Sequence, residues 1–308
     1  MVSSNISFFS EFFLLGFSGH PLLETTLFII TMIFYLLTLL GNMAILILAC
    51  LDPRLHTPMY FFLSHLSFMD LCYTTSTVPQ LLFNLKGPEK TITYGGCVGQ
   101  LYVASAMGSA ECILLVVMAV DRYAAICQPL RYAVIMHPRF CFQLVAMTWL
   151  TGLTSSLVQT VLITQVPLCG QNVIDHVFCE VPVLLKLSCV DTTANQMELF
   201  LVSVFFFLVP LSLILISYGF IAQSLWKIRA SEGCQKALGT CSSHLVVVFL
   251  FFGTAIAMYL KPTSTTSQYQ DKFMALFYGV VTPTLNPFIY TLRNKDVKEA
   301  LKKMMWKE

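Results

Sequence analysis

Seven stretches of this chain are apolar for long enough to cross a lipid bilayer, and that property leaves few folds open. About 20 apolar residues cover the roughly 30 Å of hydrocarbon in a membrane. The windows fall at about 24–50, 59–85, 98–126, 141–166, 197–226, 237–260 and 272–292. They predict an all-α membrane protein, a seven-transmembrane helix bundle. The second and third windows are the least apolar, because Ser, Thr and Gly are scattered through them. No connecting segment is large enough for a separate soluble domain. One domain is therefore expected, with an N-terminal segment 1–23, the bundle 24–292 and a tail 293–308. Charged residues make up only 11% of the 308 and the net charge is +2, against roughly a quarter charged in soluble domains. That balance excludes a nucleic-acid binder, a disordered tail and a cytosolic enzyme.

Orientation follows from Lys and Arg, which accumulate on the cytoplasmic side. Alternate connections divide them five against thirteen, with the N-terminus on the poorer side. The N-terminus is expected outside and the C-terminus in the cytoplasm. The first 20 residues lack a basic start and a long apolar core, so no cleavable signal peptide is expected and the first span serves as the targeting signal. Asn5-Ile6-Ser7 is a glycosylation sequon on the outer side. Cys97, Cys169, Cys179 and Cys189 also fall outside; four cysteines permit three pairings, and spacing does not choose among them. In the tail, Val297, Leu301 and Met304 recur at helical spacing among lysines, which reads as a short amphipathic helix on the inner leaflet.

Ionisable residues inside a bilayer default to functional candidates. Glu111 lies eleven residues above Arg122, the cytoplasmic end of span three, or about 16 Å by helix rise. Asp70 comes out about 15 Å up its own span, and Asn42 and Asn286 about 10–12 Å. These four polar side chains share one layer. Two carboxylates that close cannot both stay charged unless a cation sits between them, so a hydrated, sodium-sensitive switch is set against a neutral packed cluster. Asp121-Arg122-Tyr123 closes span three, where an Arg can pair with its neighbouring acid in one state and with a cytoplasmic partner in another.

These residues resemble a known family. Asn42, Asp70, the run MAVDRYAAIC (118–127), Trp149, Tyr218 and PTLNPFIY (283–290) look like a rhodopsin-like G-protein-coupled receptor. LHTPMYFFLSHLSFMDLCY (55–73), KALGTCSSHLVVV (236–248) and PTLNPFIYTLRN (283–294), with the loop cysteines, resemble an olfactory (odorant) receptor of the class II, tetrapod type. The resemblance implies odorant binding in the outer half of the bundle, then outward movement of span six. A stimulatory, olfactory-type heterotrimeric G protein would dock near Arg122 and raise cyclic AMP. It also implies disulfides Cys97–Cys179 and Cys169–Cys189, and activation switches at Asp121, Arg122, Tyr123, Tyr218, His244, Asn286 and Tyr290. The implied location is the plasma membrane of olfactory cilia. Val120, Leu238-Gly239 and Phe252 depart from the usual Tyr, Phe-Ser and Tyr of the family.

On span three Ala104, Ser105, Gly108 and Ser109 are small and lie about 20–27 Å above Arg122 by helix rise, which makes room for a ligand or for close helix packing. Facing candidates are Val202, Ser203 and Phe206 on span five, Phe252, Ala255, Ile256 and Tyr259 on span six, and Leu276 and Gly279 on span seven. Tyr259 is the favoured hydrogen-bond partner. Ala104 stands where amine receptors place an acid, and Lys272 lies only at the mouth of span seven. The expected ligand is therefore small, neutral and rather apolar. His176, Cys179 and Glu180 are metal-ligand residue types, but three residues do not fix a geometry, so no metal is expected, and no cofactor beyond that sodium ion. Membrane lipids are the remaining partners. The competing classes fit less well: a transporter would show repeats and broken helices, an enzyme a nucleophile–base pair or an HExxH set. A receptor for another lipophilic ligand is the nearest rival.

Overall fold

The computed structural model describes residues 10–169, 171–227, 232–260, 268–293 and 297–299. Asn5 and nearly all of the tail helix expected after Arg293 lie outside them.

Long helices dominate. They are α1 (Pro21–Leu51), α2 (Pro58–Lys86), α3 (Tyr94–Cys127) and α4 (Pro138–Thr164). Helix α5 runs as Thr193–Ser203, a π-helical turn Val204–Leu208 and Val209–Lys227. Helix α6 is Glu232–Tyr259, and α7 runs as Gln268–Leu276, a π-helical turn Phe277–Val281 and Thr282–Arg293. Three of them begin on proline, whose missing N–H would have no partner in a first turn anyway. Helix α3 is capped by Thr93, whose Oγ1 accepts from the Gly96 N–H at 3.1 Å.

By length and composition α1, α3, α4, α5 and α6 can each cross a membrane. The weak windows are therefore the second and the seventh, not the second and the third. The reason is visible in where the polar residues go. Helix α2 buries Ser67, Asp70, Thr74, Thr77 and Asn84, and α7 buries Thr282, Thr284 and Asn286. Both carry their polar residues towards the interior, so an average over all sides understates them.

The chain is not all-α. Glu11–Leu14 forms strand β1, Thr91–Thr93 strand β2 and Val173–Ile174 strand β3, in a sheet of order β2-β1-β3. Strand β1 is antiparallel to β2 and parallel to β3. Alternation explains it: Phe12 and Leu14 are buried while Glu11 and Phe13 face out. Four residues are too short a run for a hydropathy window to register. Between β1 and α1 the backbone turns through Gly16 and Gly19, with φ of +52° and +95°, a region that glycine enters without a Cβ clash.

Close packing of α3 on α4 sets the outer half of the bundle. A Cβ on Gly152 would stand 2.6 Å from the Ala106 carbonyl oxygen and 2.7 Å from Ala110 Cβ. Along the same seam the Ser156 hydroxyl donates to the Tyr102 carbonyl at 2.7 Å. Small residues of this kind let helix backbones approach. Gly152→Ala is expected to lose about 1–3 kcal/mol through overpacking. Gly253→Ala, where a Cβ meets nothing within 4 Å, is expected to be neutral or slightly stabilising. Thermal unfolding of the two purified variants in detergent checks the contrast.

Candidate functional site

A cavity of about 140 Å³ opens between α3, α5, α6 and α7 beneath the segment that follows β3. An engineered apolar cavity of about 150 Å³ admits benzene, so the space suits a molecule of that order. Nine of the predicted residues line it: Ala104, Ser105, Gly108 and Ser109 on α3, Val202, Ser203 and Phe206 on α5, and Ala255 and Tyr259 on α6.

Phe252, Ile256, Leu276 and Gly279 do not line it. On α6 the lining positions are Phe251, Ala255 and Tyr259, four residues apart and hence on one helix face. Phe252 and Ile256 are one step round, packed into the main apolar core. On α7 the π-helical turn Phe277–Val281 changes the phase, and Tyr278, Thr282 and Pro283 face the cavity. Leu276 packs instead with Val78, Leu81 and Phe178. A Cβ on Gly279 would stand 2.9 Å from the Phe178 ring, so this glycine admits the loop rather than a ligand.

That loop supplies what sequence reasoning missed. Cys97 is bonded to Cys179 and Cys169 to Cys189, each pair with Cα atoms 5.4 Å apart, the pairing that the resemblance implies. The Cys179 N–H donates to Gln100 Oε1 at 2.8 Å, which holds the next residue, Glu180, over the cavity. Glu180 is buried and accepts hydrogen bonds from the Tyr259 hydroxyl at 3.2 Å and from the Tyr278 hydroxyl. The Tyr259 proton is thus directed to the loop. The signal available in the sequence was an acid beside a loop cysteine. With Cys179 in a disulfide it is not a thiolate ligand, and among the described residues no group of three His, Cys, Asp or Glu is arranged to hold a metal.

Lys272 lies in the first segment of α7. It is buried, and its Nζ donates to the Gly16 carbonyl at 2.6 Å and to Asp175. It ties α7 to the segment before α1 and to the loop after β3. Lys90 pairs with Glu24 in the same region.

Three members of the polar layer meet. The Asn286 amide donates to Asp70 Oδ2 at 3.1 Å and lies 3.5 Å from Glu111 Oε1. Asn42 points elsewhere, its amide directed to the Thr38 carbonyl at 3.1 Å and the Pro283 carbonyl at 3.4 Å. Helix rise fixed its depth but not its direction. Glu111 also lines the cavity, so the layer and the ligand space share a wall.

At the other end of α3, Arg122 pairs with Asp121 at 2.7 Å, and the Tyr132 hydroxyl donates to the second Asp121 oxygen at 2.7 Å. Burial, then the Asp121 charge, pushes the Tyr132 phenol up, which keeps it a donor. Tyr123 lies against Phe220 with ring centroids 6.1 Å apart. The Tyr218 hydroxyl and His244 Nδ1 are 2.9 Å apart. Tyr290 is buried with no hydrogen-bond partner for its hydroxyl.

Comparison with known proteins covers almost all of this chain. A profile described as "Olfactory receptor" matches residues 31–308. Human olfactory receptor 2G6 is 60% identical over 99% of the chain and 96% of its own length. Human olfactory receptor 2G3 is 59% identical, with 98% and 97% covered. Mouse olfactory receptor 2B6 is 56% identical, with 98% and 96% covered.

Removing the Asn286 amide leaves two buried carboxylates without their common donor. Asn286→Ala is expected to lose about 1–3 kcal/mol, the cost of an unsatisfied buried polar group. The replacement Asn286→Asp is expected to be worse, because it adds a third acid. Thermal unfolding in detergent reads both.

Proposed function

The chain belongs to the olfactory receptor family, a multi-pass membrane receptor and not an enzyme, and we propose that it binds small, mostly apolar, uncharged volatile molecules in the cavity beneath Glu180. In this reading all of α1–α7 cross the plasma membrane, with the N-terminus outside and the protein in olfactory cilia. The basic residues support that orientation, thirteen against five. So does the placement of both disulfides and the sheet at the end of the bundle opposite Arg122.

The observation that carries the reading is the cavity itself, floored by small α3 residues and sharing Glu111 with the Asp70–Asn286 contact. A ligand that favours one setting of these groups shifts the balance of receptor states by its difference in affinity. The response is an outward displacement of α6 at the inner face, where Tyr218 and His244 now join α5 to α6. Arg122, held by Asp121, is the docking point for a stimulatory, olfactory-type G protein that raises cyclic AMP. Two carboxylates near one amide, with the Asn286 side-chain oxygen buried and unpartnered, also fit a sodium ion, which would supply the missing countercharge.

In cells with the receptor confirmed at the surface, a broad volatile panel is expected to raise cyclic AMP, and Arg122→Ala is expected to abolish the rise. A response that survives Arg122→Ala overturns the coupling site. Sodium chloride is expected to raise the melting temperature of the purified receptor more than choline chloride does, and Asp70→Asn to remove that difference. An unchanged difference in the variant excludes the ion from this layer.

A further inference from the structure

The outer pole of the cavity has a one-sided hydrogen-bonding character. A tyrosine hydroxyl has one proton to give. Tyr259 and Tyr278 each direct theirs to Glu180, so the two phenol oxygens turn only lone pairs to anything else. A carboxylate accepts at about four lone-pair positions and donates at none, and the two phenols occupy two of them. All three groups line the cavity. These three groups can therefore accept a hydrogen bond but have none to give without first breaking a tyrosine–Glu180 contact; the remaining donors of the lining, among them Tyr73 and Gln100, belong to other side chains.

Charge points the same way. Among the described residues lining the cavity are two acids, Glu111 and Glu180, and no Lys, Arg or His. An anionic ligand would meet like charge with no compensating cation, and burying such an ion unpaired is costly.

We propose that this pole selects ligands with a hydrogen-bond donor, on alcohols or phenols, over carbonyl compounds and carboxylic acids of the same skeleton. Glu180 is the specificity-determining residue. The uncharged ligand of the proposed function, on which this inference rests, is then a hydroxyl compound. Its O–H reaches a free Glu180 lone pair while its carbon body lies along Ala104, Gly108 and Phe206. Tyr259 and Tyr278 orient the carboxylate and are not themselves donors to the ligand.

The test uses direct binding, so that it does not depend on G-protein coupling. The purified full-length receptor in lipid nanodiscs is melted against hexyl, cyclohexyl and phenylethyl skeletons, each as alcohol, carbonyl compound and carboxylic acid. Alcohols are expected to stabilise the receptor at concentrations about tenfold lower than the matched carbonyl compounds, because only the alcohol can donate to the carboxylate. The acids are expected to give no shift. In Glu180→Gln, whose side-chain amide can donate, the preference for alcohols over carbonyl compounds is expected to fall below about threefold. Tyr278→Phe serves as a second variant, since it leaves Glu180 in place and is expected to keep the donor preference. Carbonyl compounds or acids binding as tightly as the alcohols would overturn the proposal. So would an unchanged ranking in Glu180→Gln, or no shift from any compound. A donor ranking in the melts without a cyclic AMP response supports the pole and counts only against the coupling.

Discussion

In hydrocarbon a polar side chain has no water to turn to, so each one must find its partner inside the bundle. That constraint decides which way every helix faces. It sends Asp70, Glu111 and Asn286 to one another and brings α2 and α7, the least apolar of the long helices, inwards against α1 and α3. Thr38 and Thr284 are 2.6 Å apart across the α1–α7 contact, and a Cβ on Gly41 would stand 2.8 Å from the Pro287 ring. The polar contacts in this part of the bundle thus specify the same pairing that close packing does. Lys and Arg, by contrast, are absent from the polar layer, and the half-buried Arg122 keeps its acid beside it.

The outer end solves a different problem, holding loops over a space without filling it. Strand β1 supplies a backbone ladder to two segments that have no contact with one another in sequence, 91–93 and 173–174. Lys272 adds a buried cation on Gly16 and Asp175, and Cys97–Cys179 fixes the segment to the first turn of α3. Phe178 fills the notch left by Gly279. With Phe178 and Cys179 fixed immediately before it, Glu180 has a set position, and preorganisation of this kind cuts the ordering cost of a contact.

How much of this was legible in the sequence depends on the periodicity that carried it. The helices were legible because apolar windows of 20 or more residues have no competing explanation. The α3 side of the cavity was legible because Ala104, Ser105, Gly108 and Ser109 lie on one regular helix, and counting at 1.5 Å per residue holds along it. The α7 side was not. A π-helical turn at Phe277–Val281 breaks the count, so Leu276 and Gly279 were placed where Tyr278 and Thr282 stand. On α6 Ala255 and Tyr259 were placed on the lining face, whereas Phe252 and Ile256 lie one step round from it, and Asn42 turns to the Thr38 and Pro283 carbonyls. Depth needs only rise, whereas direction needs the neighbouring helices. Strand β1 and the role of Glu180 were hidden for a simpler reason: both rest on contacts between distant segments of the chain.

Glu111 connects the two halves of the site. Its side chain borders the cavity and lies within 3.5 Å of the Asn286 amide that also reaches Asp70. In the proposed reading, a ligand in the cavity changes the surroundings of a carboxylate whose side-chain hydrogen bond, among the described residues, is to Asn286 of α7. The outer acid, Glu180, is linked through Tyr259 to α6 and through Tyr278 to α7. Both acids of the cavity thus end on helices that run on to the inner face, α6 to His244 and α7 to Tyr290. In the proposed reading, ligand contact at either carboxylate bears on helix position, because an amide or a phenol that loses its acceptor in a dry interior leaves an unsatisfied polar group. On that reading, the chemistry that selects the ligand and the chemistry that reports it are carried by the same hydrogen bonds.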